Sequence, residues 1–312
     1  MAEQTPTAAE FAAQAFEEDA STPLATQARD HVTMLERLST VGDFERPSSP
    51  RVFVVANQKG GVGKTTTSVN IAAAMAMRGL RVLLIDLDPQ GNASTATNID
   101  HGSGTPGTYE VLLDGAQIAD VAQQAPEIAN LFVVPATIDL AGAEIELVSL
   151  VSREQRLRKA IDSYLAVSDH PVDYVFIDCP PSLGLLTVNA MAAAREVLIP
   201  IQCEYYALEG LSQLLRNIEL VQQHLNPRLE VSTVLLTMHD ARTNLSASVA
   251  AEVRHHFGDR VLSTAIPRSV KISEAPGYQQ TILTYDPTST GALSYLEAAR
   301  EITTHRYEEE RA

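Results

Sequence analysis

The chain has 312 residues, with 39 acidic against 23 basic side chains and a formal charge of −16. Hydrophobic residues make up 45% and charged ones 20%, the balance of a globular protein with a substantial core. Two cysteines exclude a disulfide framework and multi-cysteine zinc sites, no apolar run reaches the roughly 18 residues of a membrane span, and the acid excess speaks against a surface that binds nucleic acid all over.

Residues 1–50 carry nine acids, three arginines and many small side chains, and close on Arg-Pro-Ser-Ser-Pro. That composition predicts an acidic, mostly disordered tail with room for a short helix at His31–Leu38. The first residues, MAEQTPTAAEF, have neither the basic start nor the apolar stretch of a secretory signal. From residue 51 to 305 the pattern is that of one domain, and residues 306–312 form a short acidic C-terminal tail. Unbroken apolar runs predict buried strands at Val52–Ala56, Arg81–Asp86, Leu131–Pro135, Tyr174–Asp178, Val197–Ile201 and Val231–Leu236. Helices are expected at Thr65–Arg78 (stopped by Gly79), Ser152–Ala166, Thr187–Arg195, Glu209–His224 and Ala247–Phe257. Alternation of this kind predicts an α/β fold: a doubly wound, mostly parallel sheet with helices on both faces.

Between the first strand and the first helix lies Lys59-Gly60-Gly61-Val62-Gly63-Lys64-Thr65-Thr66. Glycines let successive backbone N–H groups turn toward an anion, and the helix start adds its positive end. Lys64 is placed to reach the β- and γ-phosphates of ATP, and the Thr65 hydroxyl to coordinate Mg²⁺. The strict phosphate-loop pattern wants glycine six residues before that lysine, where this chain has Gln58, followed by a second lysine, Lys59.

Acids follow the strands where parallel-sheet ligands bind: Asp86-Leu87-Asp88-Pro89-Gln90-Gly91 after the second, Asp178 at the end of Tyr-Val-Phe-Ile-Asp. Asp178 fits the Walker-B role, holding Mg²⁺ through water. Ser182 reads as a cap of the next helix. Cys179 and Cys203 lack a Cys-x-x-Cys pattern and read as core thiols rather than cluster ligands.

The loop Lys-Gly-Gly-Val-Gly-Lys-Thr resembles the deviant Walker A loop of the MinD/ParA class of P-loop ATPases, which implies that the doubly wound sheet is of the P-loop NTPase type. From Val52 to about Arg300 the chain is similar to chromosome-partitioning ATPases of the ParA/Soj type, through NQKGGVGKTTTSVN at 57–70, DLDPQGN at 86–92, PATIDLAGAEIEL at 135–147, DCPPSLGLLTVNA at 178–190, QCEYYALEGLSQLL at 202–215, LLTMHDARTNL at 235–245 and IPRSVKISEAP at 266–276. The resemblance implies a cytoplasmic, nucleoid-associated ATPase with slow intrinsic turnover. ATP would drive a sandwich homodimer that binds double-stranded DNA nonspecifically, and a ParB-type centromere-binding protein would stimulate hydrolysis and release. It implies that Lys59 reaches the partner's phosphates, that Asp88 orients the attacking water and that Asp86 lies near Mg²⁺. It also implies that Met238 and Pro267 flank the base, and that Arg242, Arg268 and Lys271 contact DNA.

The segment 238–272 has five basic against three acidic residues and so is net positive in an acidic chain. Nonspecific DNA binding needs cations on phosphates rather than base readout. One alternative is a MinD-like membrane-cycling ATPase, which calls for a basic amphipathic helix at the C-terminus. The chain ends instead with Glu308-Glu309-Glu310-Arg311-Ala312. The others are a metal-cluster carrier of the same fold, against the cysteine pattern, and a nucleotide-binding scaffold without turnover.

Overall fold

A computed structural model describes residues 41–167, 171–205 and 211–304. The N-terminal tail up to residue 40, its helix at His31–Leu38 and the C-terminal tail lie outside the described residues. In chain order the described elements are β1 (Arg51–Val55), α1 (Lys64–Met77), β2 (Val82–Asp86), α2 (Asn92–Ala96), α3 (Thr108–Leu113), α4 (Ile118–Val121), β3 (Gln123–Gln124), β4 (Leu131–Val134) and α5 (Leu140–Leu147). There follow α6 (Arg156–Val167), β5 (Tyr174–Asp178), α7 (Leu185–Ala193), β6 (Glu196–Gln202), α8 (Leu211–His224), β7 (Glu230–His239), α9 (Asn244–Phe257), β8 (Val261–Pro267), α10 (Val270–Glu274), α11 (Ile282–Tyr285) and α12 (Thr290–Thr304).

The strands form one eight-stranded sheet in the order β3-β4-β2-β5-β1-β6-β7-β8, parallel except for the two-residue β3. The chain winds outward from β1 through β2 and β4, returns to β5 beside β1, and then builds the other half through β6, β7 and β8. Alternate residues of β1 feed opposite faces. Val52 and Val54 join a core with α5 to α9, whereas Phe53 and Val55 join a second core with α1 and α12. The helices therefore cover both faces, as the alternating pattern predicts, and the ligand crevice falls at the carboxyl ends of the strands around β1.

Helix α1 is buried nearly all round: Ile71, Ala72, Ala73, Ala74 and Met75 have no exposed surface. Its run of alanines lets the backbone lie close beneath the sheet. It ends in a Schellman motif, with Gly79 at φ 86° and Leu80 N donating to Met75 O at 3.2 Å. At this same end of the sheet, away from the crevice, Arg46 pairs with Asp173 at 2.9 Å and donates to Gly79 O at 2.8 Å. Glu45 N donates to Thr303 Oγ1 at 3.3 Å, and Phe44 packs on the second core.

Several boundaries differ from the sequence expectation for local reasons. Helix α9 starts three residues early because Thr243 caps it, its hydroxyl accepting from Ser246 N. Helix α7 begins at Leu185 with Gly184 as its N-cap, so Ser182 is not the cap; its carbonyl instead accepts from Thr187 Oγ1 at 2.7 Å. Strand β8 and helices α5 and α12 were not expected from the sequence.

Candidate active site

The loop Gln58–Gly63 leaves β1 and turns directly into α1. Gly61 and Gly63 have φ of 74° and 88°, the left-handed region that side chains with a Cβ adopt at a cost. Nothing lies within 4 Å of where a Cβ would stand on Gly60 or Gly61, so the cradle is open. Three tethers hold it: Asn57 Nδ2 donates to Pro200 O at 2.8 Å, Lys59 N donates to Asn57 Oδ1 at 3.0 Å, and Thr237 Oγ1 donates to Val62 O at 2.8 Å.

Lys64 opens α1 and is 7% exposed. Its ammonium donates to Lys59 O at 3.4 Å, closing the loop across its mouth. Burial lowers its pKa, and the nearby Asp178, Cys179 and Asp88 pull it back. Lys59 lies half-buried on the rim, and Thr65 and Thr66 are half-buried on the first helical turn.

Asp86 and Asp178 end neighbouring parallel strands and are register partners. Both are fully buried. The oxygens of Asp86 are occupied: Ser94 N and Ser94 Oγ donate to Oδ2 at 2.8 and 2.7 Å, and Asp88 N donates to Oδ1 at 3.2 Å. Ser68 Oγ, one helical turn beyond Lys64, donates to Asp178 Oδ1 at 2.8 Å. Asp178 Oδ2, also buried, has no hydrogen-bond partner. An orphaned carboxylate oxygen beside Thr65 is the donor a hard cation would take, so the residues present fit a magnesium ion. Burial, then the Asp86 charge, pushes Asp178 up to about 7, with the Thr65 and Ser68 hydroxyls opposing. Burial likewise raises Asp86 to about 6 against its Ser94 and Asp88 hydrogen bonds.

Asp88 is 8% exposed, and Gln90 N donates to its Oδ1 at 3.0 Å. The turn behind it needs Gly91: at φ 63°, a Cβ there would stand 2.8 Å from His101 Cδ2 and 2.9 Å from Ala136 O. Cys179 and Cys203 are buried free thiols, and burial pushes both pKa values up.

The other expected residues gather at the same edge. Met238, at φ 51°, follows the loop-tethering Thr237 near the end of β7. Pro267 ends β8 opposite His239, and Arg268 N donates to His239 O at 3.1 Å. Arg242 lies in the turn after β7 and Lys271 in α10. Each of the three cations has an acidic partner: Arg242 with Asp240 at 2.8 Å, Arg268 with Glu204 at 2.7 Å, and Lys271 with Asp286. The side chains of Arg242 and, behind it, Arg268 hold the Asp240 carboxyl down to about 2.

Sequence reasoning missed the supporting layer of Asn57, Ser68, Ser94 and Thr237. Ser68 had a signal, since four residues after Lys64 puts it on the same helix face. Thr237 had none, because its contact spans 175 residues of chain.

A family model described as an AAA domain matches residues 50–231. The sporulation initiation inhibitor protein Soj of Bacillus subtilis is 54% identical over 252 residues, covering 81% of this chain and 98% of that protein. The chromosome partitioning protein ParA of Caulobacter vibrioides is 52% identical over 252 residues, covering 81% and 93%. A solved Mycobacterium smegmatis structure, described as cobyrinic acid a,c-diamide synthase with bound ADP and magnesium, is 39% identical with a TM-score of 0.69, covering 82% of this chain and 97% of that one.

Proposed function

Because the chain belongs to the Soj/ParA family of chromosome-partitioning ATPases, we propose that it hydrolyses ATP with Mg²⁺ to time a cycle of dimerisation and DNA binding. The observation that carries the chemistry is the buried, unpartnered Oδ2 of Asp178 beneath the open glycine cradle. It supports a site built for a cation bound together with phosphate.

In this reading the N–H groups of Gly60–Thr66 and the Lys64 ammonium hold the phosphates, and Lys59 neutralises phosphate charge across the dimer interface. Thr65 and Asp178 would hold Mg²⁺, which when bound offsets the charge on the transferring phosphoryl group. Asp86 sits behind them and fixes the turn through Ser94 and the Asp88 amide. Asp88 orients water for attack. Met238 and Pro267 border the base. The same strand ends that carry the base-side residues carry Arg242, Arg268 and Lys271, so ATP-driven dimerisation would double a set of phosphate contacts that is weak in one protomer. A ParB-type centromere-binding protein would accelerate hydrolysis and release the nucleoid-bound dimer into the cytoplasm.

The MinD-like alternative draws no support from the two relatives named above, both more than half identical, which are a Soj and a ParA protein. The deciding measurement is the ATPase rate with DNA alone, ParB-type partner alone, and both. Stimulation by both together well beyond either alone is the expected result. A rate indifferent to both would remove the partitioning cycle while leaving the nucleotide site untouched.

A further inference from the structure

The three cations assigned to DNA do not stand free. Each is held by a carboxylate from a different place in the fold: Asp240 from the turn after β7, Glu204 from the loop after β6, and Asp286 from the residue after α11. The Arg242–Asp240 pair is bidentate, Nε to Oδ1 at 2.9 Å and the terminal nitrogen to Oδ2 at 2.8 Å, and Arg242 N also donates to Oδ1. Two of the three pairs are clearly layered. The cation side chains are 88%, 55% and 59% exposed, and their acids 22%, 45% and 19%. Arg242 and Lys271 are therefore the outer groups with their acids behind them, whereas Arg268 and Glu204 lie side by side.

We propose that Asp240, Glu204 and Asp286 are counter-acids of the DNA face: they hold Arg242, Arg268 and Lys271 toward the phosphate backbone and weaken each contact, because DNA must share or displace an internal partner. This rests on the DNA reading of the three cations. The acids are positioning residues, and they do not touch DNA themselves.

The exchange has a thermodynamic signature. A free cation that meets a DNA phosphate releases condensed counterion, which gives a logarithmic salt slope of roughly −0.9 per contact. A cation that leaves a carboxylate to meet phosphate uncovers a charge that takes a counterion back up. Part of the release cancels, so the face should bind with a salt dependence shallower than its number of cations implies. Such a face tolerates changes in ionic strength and keeps a single protomer from being retained on DNA.

The test uses the full chain with Mg²⁺ and a non-hydrolysable ATP analogue. Its binding to a labelled random-sequence duplex is followed by anisotropy across a salt series. Asp240→Asn, Glu204→Gln and Asp286→Asn should each tighten binding about threefold at low salt, the scale of an exposed ion pair. Each should also steepen the slope by up to about one unit per protomer. Asp162→Asn, which removes an equal charge from the pair with Arg158 on α6, should do neither. Unchanged or weaker binding in all three acid variants, while Arg242→Glu weakens it, overturns the proposal and leaves the DNA reading standing. Equal tightening by Asp162→Asn also overturns it, since net charge alone would then suffice. Unchanged binding in Arg242→Glu, Arg268→Glu and Lys271→Glu removes the DNA reading, and the counter-acid role with it.

Discussion

At the scale of single residues, burial works against the charge of two carboxylates, Asp86 and Asp178, on adjacent strand ends. Raised folded-state values of about 6 and about 7 mean that the folded protein binds protons more tightly than the unfolded chain does. The stability this contributes is complete below the unfolded value near pH 4, and it is lost as pH rises through 6 to 7. Nucleotide-free protein should therefore melt at a lower temperature at pH 8 than at pH 6. Asp178→Asn should flatten that slope and raise the pH 8 melting temperature by a few degrees while abolishing hydrolysis; an unaltered slope by calorimetry would count against the pair. Asp88→Ala tests a different step. ATP should still bind, and the protein should stay on DNA with turnover reduced about 100-fold or more, the scale of a lost positioning group. Rapid phosphate release in that variant would refute the assignment to water. The residue types to which we assign the chemistry were legible because they sit at fixed spacing around Lys64 and at strand ends. Their supports were not: Ser94 and Asn57 act through backbone geometry that no spacing rule announces.

Elements were legible in proportion to how uniformly they are buried. Strand β5 matches its expected bounds because all five residues are interior. Strand β8 escaped because Ser263 and Thr264 interrupt the apolar run at the sheet edge, where exposure is allowed. Strand β3 is two glutamines with no apolar signal, and its pairing is set by β4. Helix α12 was missed although its apolar residues recur at helical spacing, with Ser294, Glu297, Arg300 and Glu301 between them and nine of its fifteen residues buried. The segment ahead of β1 is also an element in effect. Asp173, whose side chain is 5% exposed, accepts from Arg46 and from Arg81 N, so it joins that segment to the starts of β2 and β5. Arg46→Ala leaves a near-buried carboxylate one partner short. It should cost about 1 kcal/mol, tempered by the exposure of Arg46. By thermal melt that is a fall of about 2–4 °C, with nucleotide affinity unchanged. A larger loss of nucleotide affinity than of stability would contradict the separation of the two ends.

For the whole molecule, the charge of −16 is distributed rather than general. The strand ends around the phosphate loop collect Arg242, Arg268 and Lys271, each matched by an acid, within a strongly acidic chain. A dimer that joins two such edges should depend on the loop's outer lysine. Lys59→Ala is expected to bind ATP, to sediment as a monomer with it, and to lose turnover by about 100-fold or more. An ATP-dependent dimer in that variant would place the cross-interface charge elsewhere.

Arg46 anchors its segment at the base of the sheet, where β2 and β5 begin, whereas the glycine cradle lies where β1 ends. A five-residue strand at about 3.3 Å per residue puts roughly 16 Å of sheet between them. The described segment that leads into β1, residues 41–50, is thus anchored at the pole away from the nucleotide site. A fluorophore carried at Val41 would therefore let the protein be watched while the nucleotide crevice stays clear.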